Sequence, residues 1–396
     1  MVEDEEGFLY PVADESKCID CGLCEKVCPV INQDKPNIPI ETYAAKNPDD
    51  EVRLKSSSGG IFSLIAKRII SEGGVVFGAK FNDNWEIEHD YTASEDGLAC
   101  FMGSKYVQSL MAENFKKAEA FLKEGKKVLF TGTPCQIAGF RKFLRKDYDN
   151  LLLVDVICHG VPSPKVWRDY ISHCIILQKA DHGNNTVVPD CSQNVISHIS
   201  FRDKTTGWKK YGFVATKSRF IGGENSLLSP SDSETIVHEK HFNNIFMKGF
   251  LSNIYLRPSC YHCPSKSGKS WSDITLGDFW GISAVRPKMD DDKGTSAILI
   301  NTQKGADFFS KVKVISVACS YESVLEGNPS IEKSVPMPRI TDEFWKLYDV
   351  YGPEAAFDLI SKKLHVSLPK RAYIRILSIL KGAYRKTEKM LRNIKR

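Results

Sequence analysis

"KKVLFTGTPCQIAGFRKFL", residues 126–144, and "NLLLVDVICHGVPSPKVWRDYI", residues 150–171, decide the fold. Each opens on a short run of Val, Leu and Phe, passes through a tight loop and continues at helical spacing. The first predicts a strand over 128–130. The second predicts a strand over 151–157, then a helix capped by Ser163 with Pro164 at its first position. Two successive strand–loop–helix units imply neighbouring parallel strands in an open sheet. Such sheets bind ligands beyond the carboxyl ends of their strands, and Cys135 and Cys158 fall just past those ends. One cysteine there reads as a small buried hydrophobe. Two at equivalent positions, one inside the rigid "TGTPC", read better as a site.

Upstream, "SSSGGIFSLIAKRIISEGG" (56–74) is a Ser/Gly-rich loop opening a helix, with Ile61, Leu64, Ile65 and Ile69 near helical spacing. Gly73 and Gly74 end it, and "VVFGAKF" (75–81) follows as a strand. Ser56, Ser57, Ser58, Gly59 and Gly60 offer amides and hydroxyls to an anion, as a phosphate site does. A cap that serves only the helix explains the same residues. Downstream, "QKADHGNNTVVPDCSQN" (178–194) reads as a loop or insertion, followed by strand-like segments at 195–201 and 213–217 and a helix near 237–250. Then comes "RPSCYHCPSKSGKSWSDITLGDFWG" (257–281), where Cys260, Cys263 and Pro264 form a Cys-x-x-Cys-Pro element. With Cys135 and Cys158 it supplies four ligands for an inner cluster; a zinc half-site or redox dithiol is the rival reading. His159 and His262 adjoin these cysteines and read as structural.

Near the start stands "CIDCGLCEKVCPV" (18–30), four cysteines followed by proline. This is the spacing of a bacterial [4Fe–4S] run. Tight turns bring the thiolates of Cys18, Cys21 and Cys24 to three irons of one cube, and Gly22 keeps the backbone close. Zinc sites more often pair two separated Cys-x-x-Cys elements. Cys28 either closes this cluster or reaches toward ligands elsewhere. "MVEDEEGFLYP" (1–11) resembles the linker that follows an earlier cysteine run in two-cluster ferredoxins, so Met1 reads as an internal methionine of a longer ancestral sequence.

Twelve cysteines in a chain whose first residues have no basic and apolar leader point to reduced thiols or metal ligands rather than a disulfide framework. A cytoplasmic location is expected. No apolar run approaches the roughly 18 residues of a membrane span. The formal net charge of +5 is uneven: residues 370–396 hold ten Lys/Arg against Glu388, a local +9, and the remainder carries −4. Nothing outside that tail suggests nucleic acid. In the tail Tyr373, Ile376, Leu380, Tyr384, Leu391 and Ile394 fall near one helical face opposite a basic one. This predicts either peripheral contact with the inner face of a membrane or docking on the body or a partner.

Together "CIDCGLCEKVCP", "SSSGGIFS", "GSKYVQS", "TGTPCQIAG", "DVICHGVPSP", "RPSCYHCP" and "SDITLGDFWG" resemble the coenzyme F420 hydrogenase/dehydrogenase beta-subunit family over about residues 7–310. The resemblance implies an α/β (α+β) protein. A small ferredoxin-like iron–sulfur domain (1–40) precedes a larger α/β flavin-binding domain (41–335) and a helical tail (336–396). It implies FAD beside one or two [4Fe–4S] clusters. Ser57, Ser58, Gly59, Gly60, Ser104 and Lys105 would help hold the flavin, and Thr131, Gly132, Thr133 and Pro134 would lie close to its ring. Lys105 would place a positive charge near the reduced ring. The cluster ligands would be Cys18, Cys21, Cys24 and Cys28, with an inner set of Cys135, Cys158, Cys260 and Cys263. The expected function is an iron–sulfur flavoprotein oxidoreductase, working with a redox partner protein or ferredoxin on an unspecified small substrate. Two rivals stand beside it: a non-catalytic electron-transfer subunit, and an accessory protein of envelope polysaccharide synthesis. The family's name is not carried over as the substrate.

Overall fold

The computed structural model describes residues 1–177, 196–218 and 233–364. Its strands, in chain order, are β1 Val2–Glu3, β2 Leu9–Tyr10, β3 Glu41–Lys46, β4 Val75–Phe81, β5 Ile87–Thr92, β6 Val128–Gly132, β7 Leu151–Val156, β8 Ile196–Asp203, β9 Gly212–Ser218, β10 Ser233–Lys240, β11 Ile274–Asp278, β12 Ser296–Ile300 and β13 Ile315–Ala318. Eight of them form one mixed sheet in the order β13-β3-β12-β11-β7-β6-β4-β5. Its centre is parallel, as the two strand–loop–helix units predict: Val75 pairs with Val128, Val128 with Leu151, and Asp155 with Thr275. The outer strands run antiparallel to their neighbours. β5 does so because residues 82–86 turn it back as a hairpin on β4. The α/β class is therefore present as a mixed sheet covered by helices.

The central strands are apolar on both faces because both are covered. Val128, Phe130, Leu151 and Leu153 pack with Phe77, Ile137 and Phe140 on one side, under the helices Asn114–Lys123 and Pro134–Leu144. Leu129, Leu152 and Val154 pack on the other side with Ile61, Ile65 and Ile69 of the helix Ile61–Ser71. Ser163 caps the helix Pro164–Asp169 as expected, accepting from the Val166 amide at 3.2 Å.

A second core lies around the sheet β8–β9–β10. The segment expected as a helix over 237–250 divides there: its first residues belong to β10, with His238 paired to Val214. The helix is Ile245–Leu251, started by Asn244, whose side chain accepts from the Met247 amide at 3.0 Å. An Asn cap cuts the segment where hydrophobicity alone runs through it. The helices Ile340–Tyr351 and Pro353–Lys363 add Phe344, Tyr348, Phe357 and Ile360 to this core, beside Trp167 and Phe246. The basic stretch 370–396 and the whole of the polar stretch 178–194 lie outside the described residues. Among the described residues no helix is long and apolar enough to cross a membrane.

Candidate functional site

The carboxyl ends of β4, β6, β7 and β11 share one edge of the sheet, and the registers Asp278–Ser296 and Ser296–Ala45 bring the end of β3 to it. Gly132 pairs with Asp155, so Cys135 and Cys158 each stand three residues past register partners. The chain beyond Cys158 is bridged to the Cys-x-x-Cys turn. Pro162 pairs with Leu256 in an isolated bridge, and the Arg257 amide donates to Val161 O at 2.9 Å. Cys260 then lies on the short 3₁₀ turn Pro258–His262, and Cys263 follows, its amide donating to Ser334 Oγ at 2.9 Å. All four positions are thus brought to one place by strand ends and one turn.

Electrostatics report the same convergence. Burial raises the Cys260 thiol to about 12, and the nearby thiols of Cys135 and Cys263 push it the same way. Burial raises Cys158 further, with Cys260, Cys135 and Cys263 adding to the rise and Lys266 opposing it. Cys135 is raised by burial and by Cys263, and lowered by Thr133, whose hydroxyl lies 3.2 Å from its sulfur, and by Arg257. Its side chain is exposed to solvent. Lys266 Nζ donates to Cys158 O and Ser330 O, both at 2.6 Å. The thiols of Cys135, Cys158 and Cys260 resist ionisation here, and a multivalent iron centre is the kind of ligand that reverses this. The donor set fits such a centre in chemistry and in meeting place. The side chains are not drawn into ligand geometry: among the described residues no three His, Cys, Asp or Glu side chains are arranged to hold a metal ion.

The Ser/Gly loop and the "GSKY" loop meet at this edge. The Ser104 amide donates to Ser57 Oγ at 2.6 Å. Arg202 of β8, missed in the sequence, joins the two loops to the "LGDFW" segment. It donates to Ser57 O at 3.2 Å and Tyr106 Oη at 3.2 Å, forks onto Asp278 at 2.8 and 3.2 Å, and lies 4.0 Å from the Tyr211 ring centroid. Lys204 Nζ, equally unforeseen, donates to Ser58 O, Arg53 O and Lys293 O. Both follow the polar stretch in sequence, where nothing marks them as site residues.

The phosphate-binding expectation changes in detail. Ser58 Oγ donates to Thr295 O at 3.0 Å, and the Gly59 amide donates to Ser296 Oγ at 2.9 Å. A Cβ on Gly59 would stand 2.5 Å from Ala45 O and 2.7 Å from Ser296 N. Gly59 therefore serves the close approach of the loop to β3 and β12, and its amide is already used. Gly60 adopts φ +76° as the residue before that helix. Lys105 is half-buried: Nζ donates to Cys100 O, Met102 O and Gly103 O, and burial lowers it to about 7. In "TGTPC", Thr131 Oγ1 donates to Phe77 O, the Thr133 amide donates to Gln136 Oε1, and Pro134 begins the helix. Gly132 lies against the Gln136 side chain. Buried His89, also unforeseen, closes this loop, with Nε2 at 3.0 Å from Thr131 O and Nδ1 at 2.8 Å from Ser109 Oγ.

The four-cysteine run is held at both ends. Before it, Phe8 is fully buried, Ser163 Oγ donates to Glu6 O, Lys165 Nζ to Glu5 O, and Arg257 to Leu9 O. After it, Asp34 pairs with Arg141 and Lys142, Trp271 Nε1 donates to Lys35 O, and the Asn37 amide donates to Ser267 O. Between these anchors Cys18, Cys21 and Cys24 are exposed and Cys28 half-buried. Gly22, at φ +64°, opens the one-turn helix Leu23–Lys26.

Residues 125–318 match the family model for the C terminus of the beta subunit of coenzyme F420 hydrogenase/dehydrogenase, and residues 9–30 match the 4Fe–4S binding domain. A subunit of the F(420)H(2) dehydrogenase of Methanosarcina mazei is 23% identical over 316 residues, 78% of this chain and 72% of that protein. Uncharacterized protein MJ1349 of Methanocaldococcus jannaschii is 28% identical over 141 residues, 34% of this chain and 39% of that protein. Among solved structures, a chain of the F420-reducing [NiFe] hydrogenase complex from Methanosarcina barkeri superposes with a TM-score of 0.44 at 18% identity, covering 83% of this chain and 92% of that one. The resemblance read from the motifs holds.

Proposed function

We propose that this chain, which carries the C-terminal module of the coenzyme F420 hydrogenase/dehydrogenase beta-subunit family behind a 4Fe–4S binding segment, is an iron–sulfur flavoprotein subunit. It passes electrons between its [4Fe–4S] segment and a flavin at the carboxyl edge of the sheet, to a small substrate or a partner protein. One observation carries this reading: Cys135, Cys158, Cys260 and Cys263 converge at an edge over which the iron–sulfur run is anchored on both sides. Residues 1–40 act as the iron–sulfur unit and 41–335 as the flavin unit, which the helices Ile340–Tyr351 and Pro353–Lys363 complete.

A bound flavin supplies the exchange between single electrons and a hydride. The chain's own residues do the rest. Cys18, Cys21, Cys24 and Cys28 offer four thiolates to one cluster, and the inner four offer a second set on strand ends and a tight turn. Arg202 fixes the Ser57 and Tyr106 loops to Asp278, so the floor of the flavin site cannot spread. The first-turn amides of Ile61–Ser71 offer donors to a pyrophosphate, and the His89–Ser109–Gln136 chain holds "TGTPC" rigid. The name of the Methanosarcina mazei relative, part of a dehydrogenase, supports a protein as electron partner. It also gives a second reading, an electron-transfer subunit that meets no organic substrate.

Anaerobic purification with iron, sulfide and flavin counted per chain tests this. Two cubes give about eight irons, with Cys21→Ala and Cys263→Ala each removing about four. Zinc in place of iron would sink the reading. Eight irons with no flavin bound would leave the electron-transfer subunit.

A further inference from the structure

Lys204, the residue after β8, is buried. Its ammonium has three N–H groups and meets three carbonyls from three separate segments. They are Arg53 O in the helix Asp50–Lys55 at 2.9 Å, Ser58 O in the Ser/Gly loop at 2.6 Å, and Lys293 O ahead of β12 at 2.8 Å. Donors and acceptors match in number. The nearby carboxylates are held by other cations: Asp278 by Arg202, Asp291 by Arg53 and Lys46, and Asp50 by Lys293. Among the described residues no carboxylate pairs with Lys204 itself. Its coordination is all carbonyl, the way channel filters hold a bare cation. Gly294 completes the cage: it holds φ +107°, and a Cβ there would stand 2.5 Å from Ser58 O and 2.8 Å from Lys204 Nζ. Four successive carbonyls of the Ser/Gly loop are turned onto donors in this way. Ser57 O accepts from Arg202, Ser58 O from Lys204, Gly59 O from the Asn47 amide at 2.7 Å, and Gly60 O from Ser63 Oγ at 2.8 Å. In a planar trans peptide the following N–H lies opposite the carbonyl, so these donors also set where the loop's amides face.

We propose that Lys204 is a positioning residue for the flavin: its ammonium is a built-in cation whose three-carbonyl cage fixes the Ser/Gly loop in the form that receives FAD. This rests on the flavin site proposed above. A neutral side chain of the same length fills the space but gives the three carbonyls no donor, and buried carbonyls without donors drive the loop to rearrange. A shortened side chain instead leaves a socket lined by the three oxygens, which a small free ammonium ion refills.

The test measures FAD affinity and amide exchange across residues 56–61 on the full chain, purified anaerobically. Lys204→Met and Lys204→Ala are each expected to weaken FAD binding about tenfold or more, as loss of charge-assisted hydrogen bonds does, and to speed exchange across 56–61. Methylammonium chloride is expected to restore both readouts in Lys204→Ala. Tetramethylammonium chloride at the same concentration has no N–H to donate and is expected to restore neither. Parental affinity and exchange in Lys204→Met would mark the stem as packing alone and overturn the proposal. An equal response of Lys204→Ala to the two salts, including none, would also overturn it. If Lys204→Ala does not fold, Lys204→Met decides by the same two readouts, and failure of both to fold makes the cage a folding element and overturns the proposal. A parent that binds no FAD fails the flavin reading itself; exchange across 56–61, which needs no flavin, then decides whether Lys204 positions the loop.

Discussion

Two buried side chains hold the loops of the site, and each can be weighed by what its burial costs. His89 is 3% exposed. A carbonyl can only accept, so Nε2 carries the proton given to Thr131 O, and Nδ1 accepts from Ser109, whose hydroxyl in turn accepts from Gln136 Nε2. The ring is satisfied as neutral imidazole. Burial, with Lys105 in the same direction, lowers its pKa from 6.5 to about 4, against the bond to Thr131. The unfolded chain therefore binds a proton below about pH 6.5 that the folded chain refuses until about pH 4. Stability should fall as pH drops through that window, by about 3 kcal/mol from this residue alone. His89→Gln should lose part of that slope in melting temperature between pH 6.5 and 4. An unchanged slope would mean that other groups set the acid limb. Arg202 is the counterpart with a permanent charge: paired to Asp278 and flanked by Tyr211 and Trp280, it has no neutral form to retreat to.

At the scale of elements, the hairpin of β1 and β2 is the adjustable part. Gly7, at φ +86°, crosses the start of the helix Pro164–Asp169 so closely that a Cβ would stand 2.7 Å from Lys165 N. This brings Glu6 into a half-buried position facing Asp4, Asp349 and Lys165. Burial raises its carboxyl to about 7, Asp4 and Asp349 raise it too, and Lys165 lowers it. A raised carboxyl binds its proton in the docked state and releases it when free, so docking weakens as pH rises from about 4.5 to about 7. Glu6→Gln should remove that dependence, read as slower amide exchange of residues 2–10 at pH 8 than in the parent and equal exchange at pH 5. None of this was legible in the sequence, where "EDEEGFLYP" reads as an acidic linker. The central strands were legible, because burial on both faces writes a continuous apolar run. So were the Ser163 cap and the edge positions of Cys135 and Cys158, because parallel register follows from two adjacent strand–loop–helix units. The start of the Ile245–Leu251 helix was missed because one Asn cap outweighs hydrophobic continuity. Arg202 and Lys204 were missed because a buried cation leaves no local pattern: its partners are Asp278 and the carbonyls of residues far away in the chain.

Across the whole molecule, the four-cysteine run is a strap fixed at two ends rather than a freely linked domain. Its near end is clamped by Phe8 and Arg257, and its far end by Asp34, Lys35 and Asn37 on the segment 267–271 and the helix Pro134–Leu144. That helix begins one residue before Cys135, and the segment 267–271 follows Cys263 closely, so the strap's anchors and the inner thiols share their supports. The tightest point at the far end is Gly268, at φ +69°, where an added Cβ would overlap Asn37 O. A side chain there is strained by both its backbone angle and the contact. Gly268→Val should therefore lift residues 33–37 while leaving the sheet intact, since β11 begins only at Ile274. The expected result is faster proteolytic cleavage within 11–37 and quicker loss of iron to a chelator, with unchanged far-ultraviolet circular dichroism. Gly22→Ala is the control: its φ is also positive, at +64°, but an added Cβ meets nothing within 4 Å, so it strains the run locally and leaves both anchors in place. If Gly268→Val and Gly22→Ala release iron equally, the run holds its metal without the strap. Release confined to Gly268→Val ties the stability of the iron–sulfur run to the body on which it rests.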